Sequence, residues 1–339
     1  MQTESVKVLE SADISTATST SPARSTRRIQ SVIRFAGLFA LVWILLDVCY
    51  ETLPMIRPGA DVVLDTKLKV LARSQLFLPE DRYRVLVFGN SKTLAGFKPD
   101  EFDQAFGDGV RSYNLGLPGD ARFLPILKTA LDAGNVPTHV FLTIPWDDKP
   151  RPTLLDRLRD EETILYDLIP FRDLPRDIVV FAAASHLHFK QKYDEAVQER
   201  DKMLANRGWY YIKGQSYYAS GDLPEGYSLP TDHPSQFLAR AIPRTSFMLD
   251  ELSELARRHR FQVVLIPGNT RDHAAAPAPR IDDARSTRVP GNSGFRVIGP
   301  DYWVYPPAQY SDPVHMNPQG ASAYTRDLAR LVALTKVFD

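Results

Sequence analysis

Three side chains in this sequence have the types and setting for nucleophilic acyl chemistry: Ser91, Asp312 and His315. Ser91 stands two residues beyond Gly89, which closes the run Arg84-Val85-Leu86-Val87-Phe88. Glycine lets the backbone turn sharply, and such a turn can lift a hydroxyl off a strand end into a cleft. An ordinary strand-to-helix turn ends the same way, with the serine capping the next helix, so Ser91 alone has two readings. Asp312 and His315 lie three apart in Ser311-Asp312-Pro313-Val314-His315-Met316-Asn317-Pro318-Gln319-Gly320. Pro318 suits a first helical turn, so the pair precedes a predicted helix. A loop aspartate can accept a hydrogen bond from the histidine Nδ1 and fix its tautomer, leaving Nε2 to face a nucleophile. A lone Asp-x-x-His is common by chance; its pairing with a serine at a distant strand end is much less so.

The elements that must position these groups alternate along the chain. Apolar runs predict strands at 84–88, Val110 to Leu115, Val140 to Ile144 and Phe261 to Ile266, with a short last strand at 295–298. Between them, helical patterns cover Pro99 to Phe106, Ala121 to Ala133 and Thr245 to Arg260, and a terminal helix runs from Asn317 to Leu334. This order implies right-handed crossovers and a parallel sheet with helices on both faces. Ligands of such sheets bind outside the carboxyl ends of the strands. Ser91, Gly119 and Asp147 each follow a strand end, so all three are expected at one crevice.

The alternation breaks between 148 and 243, which reads as an insertion or lid with helices at Asp156 to Asp167 and His186 to Ala205. Its stretch Arg207-Gly208-Trp209-Tyr210-Tyr211 is dense in aromatics. Trp209 and Tyr210, like Trp146 and Asn90 near the strand ends, are candidate substrate contacts; aromatics here either stack on sugar rings or pack a small core of their own. Residues 274–294, rich in Ala, Pro and Arg, read as a loop. His186 and His188 have metal-like spacing, but no carboxylate or cysteine pattern completes a site, so neither a metal nor a cofactor is expected. His233 and His273 fall in loops without a role. Lys92 is either a cation supporting the site or a solvated surface lysine.

Lys+Arg and Asp+Glu both number 41, a balance that argues against a nucleic-acid partner. The single cysteine, Cys49, excludes an intramolecular disulfide. Residues 1–30 are rich in Ser and Thr and lack an apolar face, so they are expected to be a disordered cytoplasmic tail. Arg24, Arg27 and Arg28 precede an apolar stretch at 31–50. Val32 to Tyr50 reaches about 28 Å as a helix, close to the hydrocarbon thickness of a bilayer. No small-x-small cleavage site follows Leu46, and Val48 rather than a small residue precedes Cys49. The segment therefore reads as an uncleaved, single-pass signal anchor in a bacterial inner membrane, with the arginines inside and the remainder periplasmic. Residues 51–81 read as a juxtamembrane connector and 82–339 as the main domain.

At these residues the chain resembles the SGNH/GDSL hydrolases. Gly89-Asn90-Ser91 is similar to their first block, Asn114-Leu115-Gly116-Leu117-Pro118-Gly119-Asp120 to their second, and Asp312-x-x-His315 with Gly320 to their fifth, in the family order. The resemblance covers about 82–147 and 245–335. It implies a flavodoxin-like, three-layer α/β/α fold with a central parallel sheet, preceded here by one transmembrane helix. It also implies Ser91, His315 and Asp312 as nucleophile, base and orienting acid, with the N–H groups of Ser91 and Gly119 in the oxyanion hole. The third block departs: Ile144-Pro145-Trp146-Asp147-Asp148 has Asp147 where the family has an oxyanion-hole Asn. An ionised carboxylate repels an oxyanion, and losing one such donor costs about 3 kcal/mol.

Similar erosion is tolerated in membrane-anchored SGNH proteins that handle acyl groups on bacterial surface polymers, such as alginate-type O-acetylation proteins. The expectation is an acyltransferase that O-acetylates an exported polysaccharide beside a multi-pass membrane acyltransferase. A deacetylating esterase of the same fold and a non-catalytic polysaccharide-binding or assembly subunit are the alternatives.

Overall fold

The computed structural model describes residues 22–56, 59–118, 123–143, 171–212, 221–230, 247–272, 284–289 and 292–339, with 153, 155 and 169 as single residues. The chain divides into two compact units, Met1–Leu53 and Pro54–Asp339. The first holds helix α1 (Pro22–Thr52). Its Ile29–Thr52 stretch of 24 residues is long and apolar enough to cross a membrane. Residues 22–30, expected to be disordered, are instead the first turns of this helix, because Pro22 fits an N-terminal turn and no helix breaker follows it.

The second unit is a mixed α/β domain around a mostly parallel sheet. In chain order its elements are α2 (Gly59–Arg73), β1 (Tyr83–Phe88), α3 (Ser91–Gly96), α4 (Pro99–Gln104), β2 (Val110–Asn114), α5 (Phe123–Asp132) and β3 (His139–Leu142). Then follow α6 (Leu174–Ser185), α7 (Phe189–Ala205), α8 (Phe247–His259), β4 (Gln262–Leu265), β5 (Gly268–Arg271), β6 (Ser286–Val289), β7 (Asn292–Ile298), β8 (Tyr302–Tyr305) and α9 (Pro318–Leu334). The sheet order is β2-β1-β3-β4-β7-β6. Every pairing in it is parallel except β6 with β7.

Successive strand residues point to opposite faces of a sheet, and both faces are covered. Leu86, Phe88, Val140, Leu142, Val263 and Leu265 pack with α2, α5 and α8. Val85, Val87, Phe141 and Val264 pack with α4 and α9 on the other side. The central strands β1, β3 and β4 carry continuous apolar runs because neither of their faces meets water.

The structure differs from the sequence reading in three places. The loop expected at 274–294 contains β6 and the start of β7, which form an antiparallel ribbon at the sheet edge. Residues 171–185, given no element, form α6, and the helix expected from His186 starts at Phe189, since His186 and Leu187 take left-handed backbone at φ 46° and 70°. β5 and β8 make a separate two-stranded parallel sheet after the end of β4. The stretch read as a connector, whose residues 61–71 have apolar side chains at roughly helical spacing, carries α2 in agreement with that spacing, and its Leu71 is in the core. The helix expected at 156–167 lies outside the described residues, apart from its approach at 155.

Candidate active site

The chain leaves β1 for β2 on one side and returns to β3 on the other, so strand order reverses at β1. Crevices for ligands form at such points, outside the strand carboxyl ends. Ser91 is the first residue of α3, just beyond β1. Asn90, not Ser91, caps this helix: its side-chain oxygen accepts from Lys92 N–H at 3.0 Å. The cap leaves the Ser91 hydroxyl outside the capping bond, and a first helical N–H has no intrahelical acceptor. Gly89 is required by close packing. A Cβ there would lie 1.8 Å from Thr93 Oγ1 and 2.2 Å from Thr143 Oγ1. Those two hydroxyls share a 2.5 Å hydrogen bond that ties the end of β3 to α3.

The turn after β2 is locked to the same helix. The fully buried Asn114 amide donates to the carbonyls of Thr93, Leu94 and Phe97 at 2.7–3.2 Å, and its oxygen accepts from Gly116 N–H at 2.9 Å. Lys67, buried on α2, donates to the carbonyls of Asn114 and Gly116 at 2.8 and 2.6 Å. Burial holds the Lys67 ammonium well below its ordinary pKa.

Asp312 and His315 meet as the spacing predicts. Asp312 Oδ2 accepts from His315 Nδ1 at 2.7 Å, and Oδ1 accepts from the N–H groups of Val314 and His315, each at 2.7 Å. Burial alone would raise the Asp312 carboxyl, but the His315 and Val314 hydrogen bonds outweigh it and hold it below the ordinary carboxylate value. With Nδ1 committed to Asp312, Nε2 of His315 is buried without a hydrogen-bond partner among the described residues. The loop is closed by Ser311 N–H donating to the His315 carbonyl at 2.9 Å, and Asn317 caps α9 through Gly320 N–H at 2.8 Å.

Two links bring this loop to the Ser91 helix. A Cβ on Gly96 would sit 3.6 Å from Met316 Sδ, so the end of α3 packs beside the residue after His315. Arg271 Nε donates to the Pro313 carbonyl at 3.4 Å, while its neighbour on β5, Asn269, donates to the Lys92 carbonyl at 3.4 Å. Lys92 is partly buried rather than a solvated surface group; burial first, and then the Arg271 charge, push its ammonium down. No hydrogen bond joins Ser91 Oγ to His315 Nε2 among the described residues.

The other candidates divide. Gly119, Trp146 and Asp147 lie outside the described residues, as do His233 and His273. The Asn90 oxygen is occupied by the cap. Trp209 donates its indole N–H to the Ala95 carbonyl at 2.8 Å and lies under Lys98 Nζ, 4.9 Å from its ring centre. Tyr210 packs with Val63, Leu94 and Met203. These contacts fit the packing role for the aromatics. His186 ends α6, and its carbonyl contacts His188 Nδ1 at 2.9 Å. Ahead of the aromatics, Arg207 pairs with Asp100 and Asp103, and Gly208, at φ 92°, leaves room for the Asn114 carbonyl.

Lys67, Asn269 and Arg271 were not anticipated. Lys67 lies in the stretch read as a connector, and Gly268-Asn269-Thr270-Arg271 has no apolar alternation to mark a strand. No family model, curated protein or solved structure matches this chain.

Proposed function

We propose that this chain is a membrane-anchored SGNH-type acyltransferase that O-acetylates an exported polysaccharide. One observation carries the reading: the 2.7 Å Asp312–His315 bond, which leaves Nε2 as the unpartnered imidazole nitrogen. Support comes from the strand order, in which β2-β1-β3-β4-β7 follows the flavodoxin-like doubly wound pattern. Further support is the Ser91 position at the start of α3, one turn from Asn114 and the second-block turn.

In this mechanism His315 Nε2 takes the proton of Ser91 Oγ as the oxygen attacks the acyl carbonyl. Asp312 stabilises the imidazolium, and the N–H groups of Ser91 and Gly119 hold the oxyanion. The donor alcohol leaves with the proton from His315. A sugar hydroxyl then gives its proton to His315 and attacks the acyl-enzyme, and Ser91 Oγ leaves with the proton that His315 returns. Hydrogen bonds between nucleophile and base are often long before substrate binds, consistent with the separate Ser91 and His315 side chains. The helix α1 would hold the catalytic unit at the periplasmic surface, beside a multi-pass membrane protein that delivers the acyl group.

The test uses the full-length protein in detergent with p-nitrophenyl acetate, with and without an oligosaccharide acceptor. Acetylated sugar formed by wild type and not by Ser91→Ala supports transfer; acetate alone identifies an esterase. A second reading, a non-catalytic polysaccharide-binding subunit, is favoured by Asp147 at the oxyanion position. It stands if wild type and Ser91→Ala are equally inactive with both acceptors.

A further inference from the structure

The loop that carries Asp312 and His315 is closed on itself and then held from outside at its start, middle and end. Tyr310 and Met316 pair across its base as an antiparallel bridge. At the start, Leu223 N–H donates to the Tyr310 carbonyl at 2.8 Å. At the end, Asn317 Nδ2 donates to Asp222 Oδ1 at 2.7 Å. In the middle, Arg271 Nε donates to the Pro313 carbonyl at 3.4 Å, and Nη1 of the same side chain donates to the Tyr227 carbonyl at 2.7 Å. Asp222, Leu223 and Tyr227 all belong to one short segment, 221–230, of the region read as an insertion.

This segment is part of the core. Leu223 is 2% exposed and shares a buried cluster with Tyr310 and Met316. Arg271 is 3% exposed, and its guanidinium lies 5.1 Å from the ring centre of Tyr227. A guanidinium suits this place because its rigid fork of donors serves two carbonyls at once, which an ammonium on a flexible stem does less well.

The same region grips the helix that carries Ser91. Trp209 donates its indole N–H to the Ala95 carbonyl, and Tyr210 N–H donates to the Leu94 carbonyl at 3.2 Å. Tyr211 Oη in turn donates to the Gly221 carbonyl at 3.5 Å. Gly221 has φ 79°, and a Cβ there would lie 2.8 Å from that hydroxyl, so the approach depends on glycine. Bonded residues therefore lead from α3 through the aromatic stretch to both ends of the histidine loop.

We infer that Arg271 and Asp222, with the aromatic stretch 209–211, are positioning residues that set His315 against Ser91, an inference that rests on the proposed acyl-transfer roles of those two side chains. Nucleophile and base come from distant parts of the chain, and a misplacement of about 1 Å between reacting groups can cost about a hundredfold in rate.

The experiment uses the full-length protein in detergent, with circular dichroism matching wild type required of each variant. Two quantities are read: kcat and KM for p-nitrophenyl acetate, and the ¹⁵N-histidine spectrum, in which His315 is assigned by its absence from His315→Gln. Arg271→Met is expected to lower kcat about a hundredfold with KM nearly unchanged, and to turn the Nδ1–H tautomer of His315 into a mixture. Asp222→Ala is expected to lower kcat about tenfold, and Asp222→Asn, which keeps an oxygen for Asn317, to restore it. Asp222 is exposed, so its variants carry the test if Arg271→Met does not fold. The kcat loss supports the inference whether or not the tautomer changes. Unchanged kcat in Arg271→Met and Asp222→Ala overturns the positioning roles and leaves acyl transfer standing. A raised KM at unchanged kcat overturns them too, since these residues would then contact substrate. If wild type cleaves no ester, the acyl-transfer reading falls and the spectrum decides: a tautomer mixture in the variants alone supports the positioning, and a spectrum equal to wild type overturns it.

Discussion

Lys67 Nζ donates to the Asn114 carbonyl at 2.8 Å, so a buried cation on α2 holds the carboxyl end of β2. The same ammonium reaches the Gly116 carbonyl at 2.6 Å. A buried carbonyl stripped of its donor costs about 1–3 kcal/mol, and part of that is offset by removing a buried charge. Lys67→Met is therefore expected to lower unfolding stability by about 2 kcal/mol. Urea denaturation checks this: the midpoint should fall with the slope unchanged.

Asp312 has two functions that one substitution separates. Asp312→Asn keeps an oxygen for the Val314 and His315 N–H groups but presents an amide donor to Nδ1, inverting the tautomer that His315 needs. Acyl turnover is expected to fall on the order of 10⁴-fold, and Ser91→Ala to fall at least as far. Thermal melting should change little in the Asn variant. A large loss of stability with turnover intact would assign Asp312 to the loop alone.

On the proposed mechanism Asp147 takes the place of an oxyanion donor in the sequence, so Asp147→Asn is expected to raise turnover. Restoring one donor is worth on the order of a hundredfold. Steady-state hydrolysis of p-nitrophenyl acetate reads the change, and a fall in rate would mean that the carboxylate itself is used.

His139 gives the fold a pH dependence. It lies on β3 among Tyr83, Phe141 and Phe338, and burial, aided by the Arg296 charge and opposed by the Val337 backbone, lowers its pKa to about 4. The unfolded chain protonates this group near pH 6.5, so between 6.5 and 4 the unfolded state binds the extra proton. Its contribution is complete above pH 6.5 and is lost as pH falls toward 4, on the order of 3 kcal/mol in all. Urea midpoints across this window should fall more steeply for wild type than for His139→Phe.

Much of the scaffold was legible because burial on both faces writes long apolar runs, as in Val85-Leu86-Val87-Phe88 and Val263-Val264-Leu265. The Asp312–His315 bond was legible because three residues in one loop suffice to make it. What depends on distant parts was not. β5 and β8 are four residues each and are defined only by one another, and Lys67 finds its acceptors 47 and 49 residues away. The role of Asn90 was hidden for a different reason: a family block directs attention to the serine, while the cap next to it is local helix chemistry.

The hydrogen bonds of Asn114 also set an order of events. Its three carbonyl partners lie only 17 to 21 residues away, whereas the first contacts between this region and α9, such as Lys98 N–H to Thr325 Oγ1, span 227 residues. Short loops close before long ones. The half of the site that carries Ser91 is therefore expected to assemble while the chain is still emerging, and the half that carries His315 to arrive last. Pulsed hydrogen exchange during refolding should protect β1 and β2 before α9. On the proposed mechanism a hydroxyl without its base is chemically quiet, so Ser91 would stay unreactive until the final helix closes the domain.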